Sequence, residues 1–209
     1  MLDTFFSFGY VRFADPLLRS MRQSLIAFSD IRPGQSVLDV CCGTGAQVYE
    51  YSRRGIPATG IDIDPGMLKQ AFYYHSRLPE LQPEFVLGDA SRMPFADGSF
   101  DAASVSLAMH EKTEALQDDI IEEMKRVVKE SGTLVFADFR VPLPFTPVGF
   151  GIKAIESSVG GDHHANFKAY LHSNGLPQIL RRNNLSPQRS SKSVAGMVRM
   201  YLAFNIVCH

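Results

Sequence analysis

Apolar residues recur along this chain in two rhythms that take turns. Near the start, Leu17, Leu18, Met21, Leu25 and Phe28 stand at helical spacing, which predicts a leading helix over 16–29. The break at Arg32-Pro33-Gly34 ends it. Short apolar runs bounded by turn residues then read as strands: Ser36–Val40, Ala58–Ile63, Glu84–Asp89, Phe100–Leu107 and Thr133–Phe139. Helical spacing returns at Ala46–Arg54, stopped by Gly55, and again in a helix opened by Pro65. A longer helix runs from about Glu114 to Val128, with Thr113 as N-cap and Ile120, Ile121, Met124, Val127 and Val128 on its inner face. Such alternation predicts an α/β fold, a doubly wound and mostly parallel sheet with helices on both faces. Ser186–Val194 and Met197–Val207, about a turn at Gly196, predict a C-terminal antiparallel hairpin that brings the sheet to seven strands.

The rhythm is lost after Phe139. Pro142, Pro144 and Pro147 interrupt the chain, and glycines gather at 149, 151, 160 and 161. One or two helices over the active-site edge are expected there, so 140–183 reads as a lid on the substrate side. Residues 1–34 read as N-terminal cap helices, and 1–209 as one domain.

Composition narrows the function classes. The chain has 209 residues, 45% of them hydrophobic, which suits one domain with a sizeable core. It carries 21 basic and 22 acidic residues without a long basic run, so neither a nucleic-acid surface nor a polybasic membrane patch is expected. No apolar run approaches the roughly 20 residues that span a bilayer, and the first residues lack the layout of a signal peptide. Three cysteines, two of them adjacent, make a poor disulfide framework. A cytoplasmic setting is expected.

The densest chemistry lies in Val37–Gln47, "VLDVCCGTGAQ". In a doubly wound sheet, ligands bind at the carboxyl ends of the strands, where Cys41–Gly45 is expected. Gly43 and Gly45 let backbone approach a ligand, and the helix that follows offers free N–H groups to an anion. The second strand ends in "GIDID", and an acidic residue there, Asp62, commonly grips the hydroxyls of a ribose. A dinucleotide loop would need a third glycine at 48, where this chain has Val48. Cys41 and Cys42 read as compact turn residues rather than redox or metal ligands, since a metal site asks for more thiols or histidines at workable spacing.

"VLDVCCGTG", "GIDIDPGML", "GDASRMPFADGSFDAASVSLAMHE" and "RVVKESGTLVFADF" together resemble class I S-adenosylmethionine-dependent methyltransferases. Within them the chain is most similar to the branch containing the ubiquinone and menaquinone biosynthesis methyltransferases. The resemblance runs from about Ser36 to Phe139 and implies a Rossmann-like methyltransferase fold with S-adenosylmethionine as cofactor. It implies that Asp39 anchors the loop and reaches the ligand's amino group, and that Gly43 and Gly45 line the methionine part. Asp62 would hold the ribose, with Ile63 against the adenine. Asp89 would accept from the adenine amine beside the Ala90 N–H. Ser106 and Leu107 would face the methionyl group, and Cys41 and Met67 belong to the same set. The family pattern D-x-G-x-G-x-G is altered at Cys41, which replaces its first glycine.

The reaction implied is direct displacement of a methyl group onto a small, apolar or aromatic acceptor. A base is needed only where the nucleophile must lose a proton. His110, after the fourth strand, is the candidate, as general base or as pocket lining. His163 and His164 beside Asp162 suggest a metal, but helix N-capping by Asp162 explains the same residues, and no metal is expected. Phe5, Phe6, Phe8, Tyr10 and Phe13 either cover an apolar substrate or pack the N-terminal segment. Two other functions stay open: a non-catalytic nucleoside-binding protein, and a nicotinamide oxidoreductase, which Val48 disfavours.

Overall fold

A computed structural model describes residues 18–75, 77, 80–158, 160–194 and 196–206. The aromatics Phe5 to Phe13, the start of the leading helix and Cys208 lie outside them. The strands are β1 (Val37–Val40), β2 (Ala58–Asp62), β3 (Glu84–Leu87), β4 (Phe100–Ser106), β5 (Val128–Phe139), β6 (Arg189–Ser193) and β7 (Val198–Phe204). The helices are α1 (18–29), α2 (Ala46–Ser52), α3 (Pro65–His75), α4 (Glu114–Val127), α5 (Pro147–Ser158), α6 (Gly161–His172) and α7 (Leu176–Arg182). A 3₁₀ turn spans Met109–Glu111.

The seven strands form one sheet in the order β3-β2-β1-β4-β5-β7-β6. All pairings from β3 to β5 are parallel, while β7 runs antiparallel to β5 and β6. The expected hairpin is present, with β7 against β5 and the polar β6 on the outer edge. Between β3 and β4 the chain crosses in a loop without a helix. Arg126 of α4 explains how that loop is held: its guanidinium donates to Met93 O at 3.0 Å and Phe95 O at 2.8 Å.

Period-two alternation sorts the strand residues onto two cores. Leu38, Val40, Ala103, Val105, Leu134 and Phe136 face α4 and α7. Val37, Ala102, Val135, Ala137, Val198 and Met200 face α1 and α2. The long helix α4 is capped by Thr113, whose Oγ1 accepts from Leu116 N at 3.3 Å. Its far end differs from the expected run-on to Val128 and simple turn. Phe100 pairs with Val128 but Ala102 pairs with Thr133, so residues 129–132 bulge out of β5. Asn205 fills this corner, donating Nδ2 to Lys125 O and Val128 O, each at 2.8 Å.

Three helices, not one or two, occupy 140–183. Leu176, Ile179 and Leu180 of α7 are buried in the α4-side core, so α7 belongs to the sheet's covering layer. Helix α6 packs on the 3₁₀ turn after β4 and against α5. Its N-cap is Gly160, in a positive-φ conformation, which moves Asp162 from the expected cap into the first turn.

Candidate functional site

The carboxyl ends of β1, β2, β3 and β4 lie side by side, so the loops that leave them come together at one edge of the sheet. At the end of β1, Cys41, Gly43 and Gly45 all take the left-handed region, with φ of 55°, 55° and 72°. For Cys41 this strains a residue with a Cβ, at a cost of order 1 kcal/mol or more. A Cβ on Gly43 would meet nothing within 4 Å, so the loop presents bare backbone to open space. The Gly43 N–H donates to Asp62 Oδ2 at 2.7 Å, and the Asp64 N–H donates to Asp62 Oδ1 at 2.9 Å. Asp62 thereby ties the two loops together and keeps a lone pair on each oxygen for a ligand.

Cys42 has a packing role. A Cβ on Gly60 would sit 2.7 Å from Cys42 Sγ and 2.9 Å from Val48 Cγ2, so sulfur and valine fill the room left by a glycine in β2. Val48 is fully buried in the place a dinucleotide loop keeps for glycine. Burial pushes the Cys41 thiol up to about 12, and that of Cys42 higher still. Neither offers a thiolate at neutral pH.

Asp39 is brought under the loop rather than into its mouth. It is 2% exposed, pairs with Ser104 across β1 and β4, and accepts the Ser104 Oγ–H at 2.7 Å. Burial raises its carboxyl to about 7, against the pull of the Ser104 hydrogen bond and of the Arg22 charge. Tyr51 shares this layer, its hydroxyl pushed up by burial and by Asp39.

At the ends of β2 and β3 two large apolar side chains face solvent, Ile63 at 66% and Leu87 at 58% exposure. Asp89 beyond them is exposed; Oδ1 accepts from Ser91 N and Oγ, and these bonds hold its carboxyl below the usual range. Ala90 is buried, and Met67 is half-buried in the first turn of α3. Ser106 ends β4 half-buried. Leu107 follows with φ 53°, its N–H donating to Ala137 O at 2.8 Å. Strained non-glycine residues thus stand at the ends of both β1 and β4, neighbours in the sheet.

His110 lies beyond β4, buried against Phe139, whose ring centroid is 4.7 Å away. Its Nδ1 meets Asp138 Oδ1 at 2.7 Å, and its Nε2 is 3.5 Å from Glu156 Oε2. Burial favours the neutral ring, but the Asp138 charge and hydrogen bond and Glu156 outweigh it and raise His110 to about 10. So held, the imidazole is a donor and a cation without a free lone pair. His163 Nε2 meets the same Glu156 oxygen at 2.7 Å, while buried His164 Nδ1 has no hydrogen-bond partner. Pattern reading missed Ser104, Asp138, Glu156 and Arg126. The one signal for Asp138 was a charge inside an apolar strand.

Phe139 also lines a cavity of about 310 Å³, together with Arg140, Val141, Lys192, Arg199 and Tyr201. Among the described residues, no helix is long and apolar enough to cross a membrane.

Residues 38–136 match the family described as a methyltransferase domain. A demethylmenaquinone methyltransferase of Paenarthrobacter aurescens is 37% identical over 125 residues, which is 60% of this chain and 47% of that protein. One of Beutenbergia cavernae is 33% identical over 156 residues, 73% of this chain and 62% of that protein. The chain thus spans from about half to three fifths of the length of these curated relatives. Among solved structures, a SAM-dependent methyltransferase from Aquifex aeolicus superposes with TM-score 0.67 at 18% identity, covering 90% of this chain and 92% of that one. A Pyrococcus horikoshii protein superposes with TM-score 0.70 at 16% identity, covering 94% and 98%. These two likenesses show the shared fold.

Proposed function

We propose that this chain is a class I S-adenosylmethionine-dependent methyltransferase, near the quinone methyltransferases, and that it methylates a small, aromatic, quinone-like acceptor. The observation that carries the reading is the Asp62 carboxylate. It is anchored by the Gly43 and Asp64 amides beside a bare-backbone loop on one side and exposed Ile63 on the other.

The residues present fit the cofactor. Gly43 leaves room for the methionine end, Asp62 takes the ribose hydroxyls, and Ile63 and Leu87 offer apolar surface to the adenine. Asp89 and the Ala90 N–H take the adenine edge, with Met67 beside them. Ser106 and Leu107 face the methionyl chain. Asp39 supports the loop from below and gives the ligand's ammonium a buried counter-charge. S-adenosylmethionine supplies, when bound, a methyl group on a sulfonium that is already a good leaving group.

The chain's own task is therefore alignment. Holding nucleophile and methyl carbon in line is worth about 7–11 kcal/mol. Phe139 and Tyr201 offer aromatic surface to an acceptor in a cavity whose lining is otherwise mostly polar, and Arg140, Lys192 and Arg199 suit an acidic oxygen on it. His110 acts as a positioning residue, joining the turn after β4 to β5 through Asp138 and to α5 through Glu156.

Calorimetric titration with S-adenosylmethionine tests the site. Asp62→Ala should weaken binding at least tenfold, about 1.4 kcal/mol or more. Unchanged affinity overturns the assignment. Mass spectrometry of demethylated quinols incubated with protein and cofactor tests the acceptor, through a gain of one methyl group.

A further inference from the structure

Away from the loops that would hold the cofactor, three segments bring a second set of ionisable side chains together. His110 and Glu111 come from the 3₁₀ turn, His163 from α6 and Glu156 from α5. One nitrogen or oxygen from each of His110, Glu111 and His163 lies within 4.8 Å of the other two. His163 Nδ1 is already 3.3 Å from Glu111 Oε2. Glu156 Oε2 sits between the rings, 3.5 Å from His110 Nε2 and 2.7 Å from His163 Nε2.

Two features separate this set from an ordinary solvated charge cluster. Asp138, fully buried, grips His110 Nδ1 at 2.7 Å and so fixes the ring with Nε2 turned to the shared space. A carboxylate behind a ligating histidine sets its orientation and raises its basicity, the usual support of a metal-bound imidazole. The second feature is charge. Asp138, Glu111 and Glu156 meet one lysine, Lys112, which pairs with Glu111 at 2.6 Å. Phe139, Phe167 and Tyr170 wall the His110 side, so water screens the excess poorly. The His110 proton offsets one of the two charges that Lys112 leaves, and a divalent cation that displaces it from Nε2 balances both.

We propose that His110 Nε2, His163 Nδ1 and the Glu111 carboxylate form a binding site for one first-row divalent cation, with Glu156 accepting from the opposite nitrogen, Nε2, of His163. Imidazole nitrogens with carboxylate oxygens suit zinc, cobalt and their neighbours. Bonds of about 2.0–2.2 Å set ligand atoms roughly 3.3 Å apart, the separation Glu111 and His163 already show. The other pairs of the set lie within 4.8 Å, so reaching that separation takes a closure of up to about 1.5 Å, which side-chain rotation and a small shift of α6 supply. The site borders the acceptor wall at Phe139 but uses none of the residues assigned to the cofactor.

The full chain, stripped with a chelator and dialysed, is titrated with cobalt(II) and zinc, with no cofactor or acceptor present. One equivalent should bind, and cobalt should show visible ligand-field bands without the near-ultraviolet band of a thiolate ligand. X-ray absorption of the zinc form should give a nitrogen and oxygen shell at about 2.0–2.1 Å with imidazole scattering. His163→Ala and Glu111→Gln should each weaken binding at least tenfold, and His172→Ala, further along α6, should leave it unchanged. No binding, a sulfur shell, or equal binding by folded His163→Ala or Glu111→Gln overturns the site. Where a variant fails to fold by circular dichroism, the scattering shell of the unaltered protein decides.

Discussion

At the scale of single residues, the site rests on side chains doing quiet work under the loop. Asp39 is the clearest. Its carboxyl rises from an ordinary value near 4 to about 7 on folding, chiefly through burial. A group raised in the folded state stabilises below its unfolded value, and the contribution is lost as pH climbs through the folded one. Urea unfolding of the cofactor-free protein should therefore show a term that fades between about pH 4 and pH 7. Asp39→Asn, neutral throughout, removes that term. Its stability relative to the unaltered chain should rise across the window by a few kcal/mol, up to about 4. A difference independent of pH would contradict the buried carboxyl. The Cys42–Gly60 contact makes a second prediction. Gly60→Ala should cost about 1–3 kcal/mol by overpacking, and Cys42→Ala in the same chain should recover part of it, a coupling read from a double-mutant cycle. The adjacent cysteines, which in sequence invited a redox reading, are explained by room and backbone: one fills a gap over glycine, the other takes a strained turn.

At the scale of elements, α4 was legible from its periodicity and its Thr113 cap, because an amphipathic helix writes both into consecutive residues. The devices that attach it were not. Arg126 reaches Met93 O, Phe95 O, Asp97 and Glu123, and so pins the helix-free crossing that carries Asp89 and Ala90. Arg126→Ala should lower stability by about 2 kcal/mol, the scale of hydrogen bonds to a charged donor. On the proposed placement of the adenine beside Asp89 and Ala90 it should also weaken S-adenosylmethionine binding; thermal unfolding with and without cofactor measures both. Asn205 closes the C-terminal end of α4, and Asn205→Ala strips the Lys125 and Val128 carbonyls of their donor at a cost of about 1–3 kcal/mol. The loop that Arg126 grips and the Asn205 side chain both lie far in sequence from the helix, and neither a helical arginine nor an asparagine after a strand carries a local mark of where it will bond.

At the scale of the whole molecule, strand order builds the site. After β3 the chain crosses back over β2 and β1, so that β4 lies on the other side of β1 and the ends of β2, β1 and β4 stand in a row. Glu156 then bridges α5 to His110 and His163 over the sheet's carboxyl edge. Glu156→Gln should loosen that bridge: amide hydrogen exchange should quicken in α5 and α6, while the β1, β4 and β5 amides keep their protection. Equal protection in the variant would show that the bridge holds nothing.

The sequence by itself determined the α/β class, the parallel core with its antiparallel hairpin and the positions of the glycine loop and of Asp62. Those features follow from spacing along a few consecutive residues, since burying one face imposes a period and a tight turn demands glycine. Only the tertiary structure decided that Asp39 lies beneath the loop against Ser104, that Cys42 serves Gly60, and that His110 is bracketed by Asp138 and Glu156. Those contacts join residues brought together by strand order and by the fold of the α5–α6 segment, and distance along the chain says nothing about distance across the sheet.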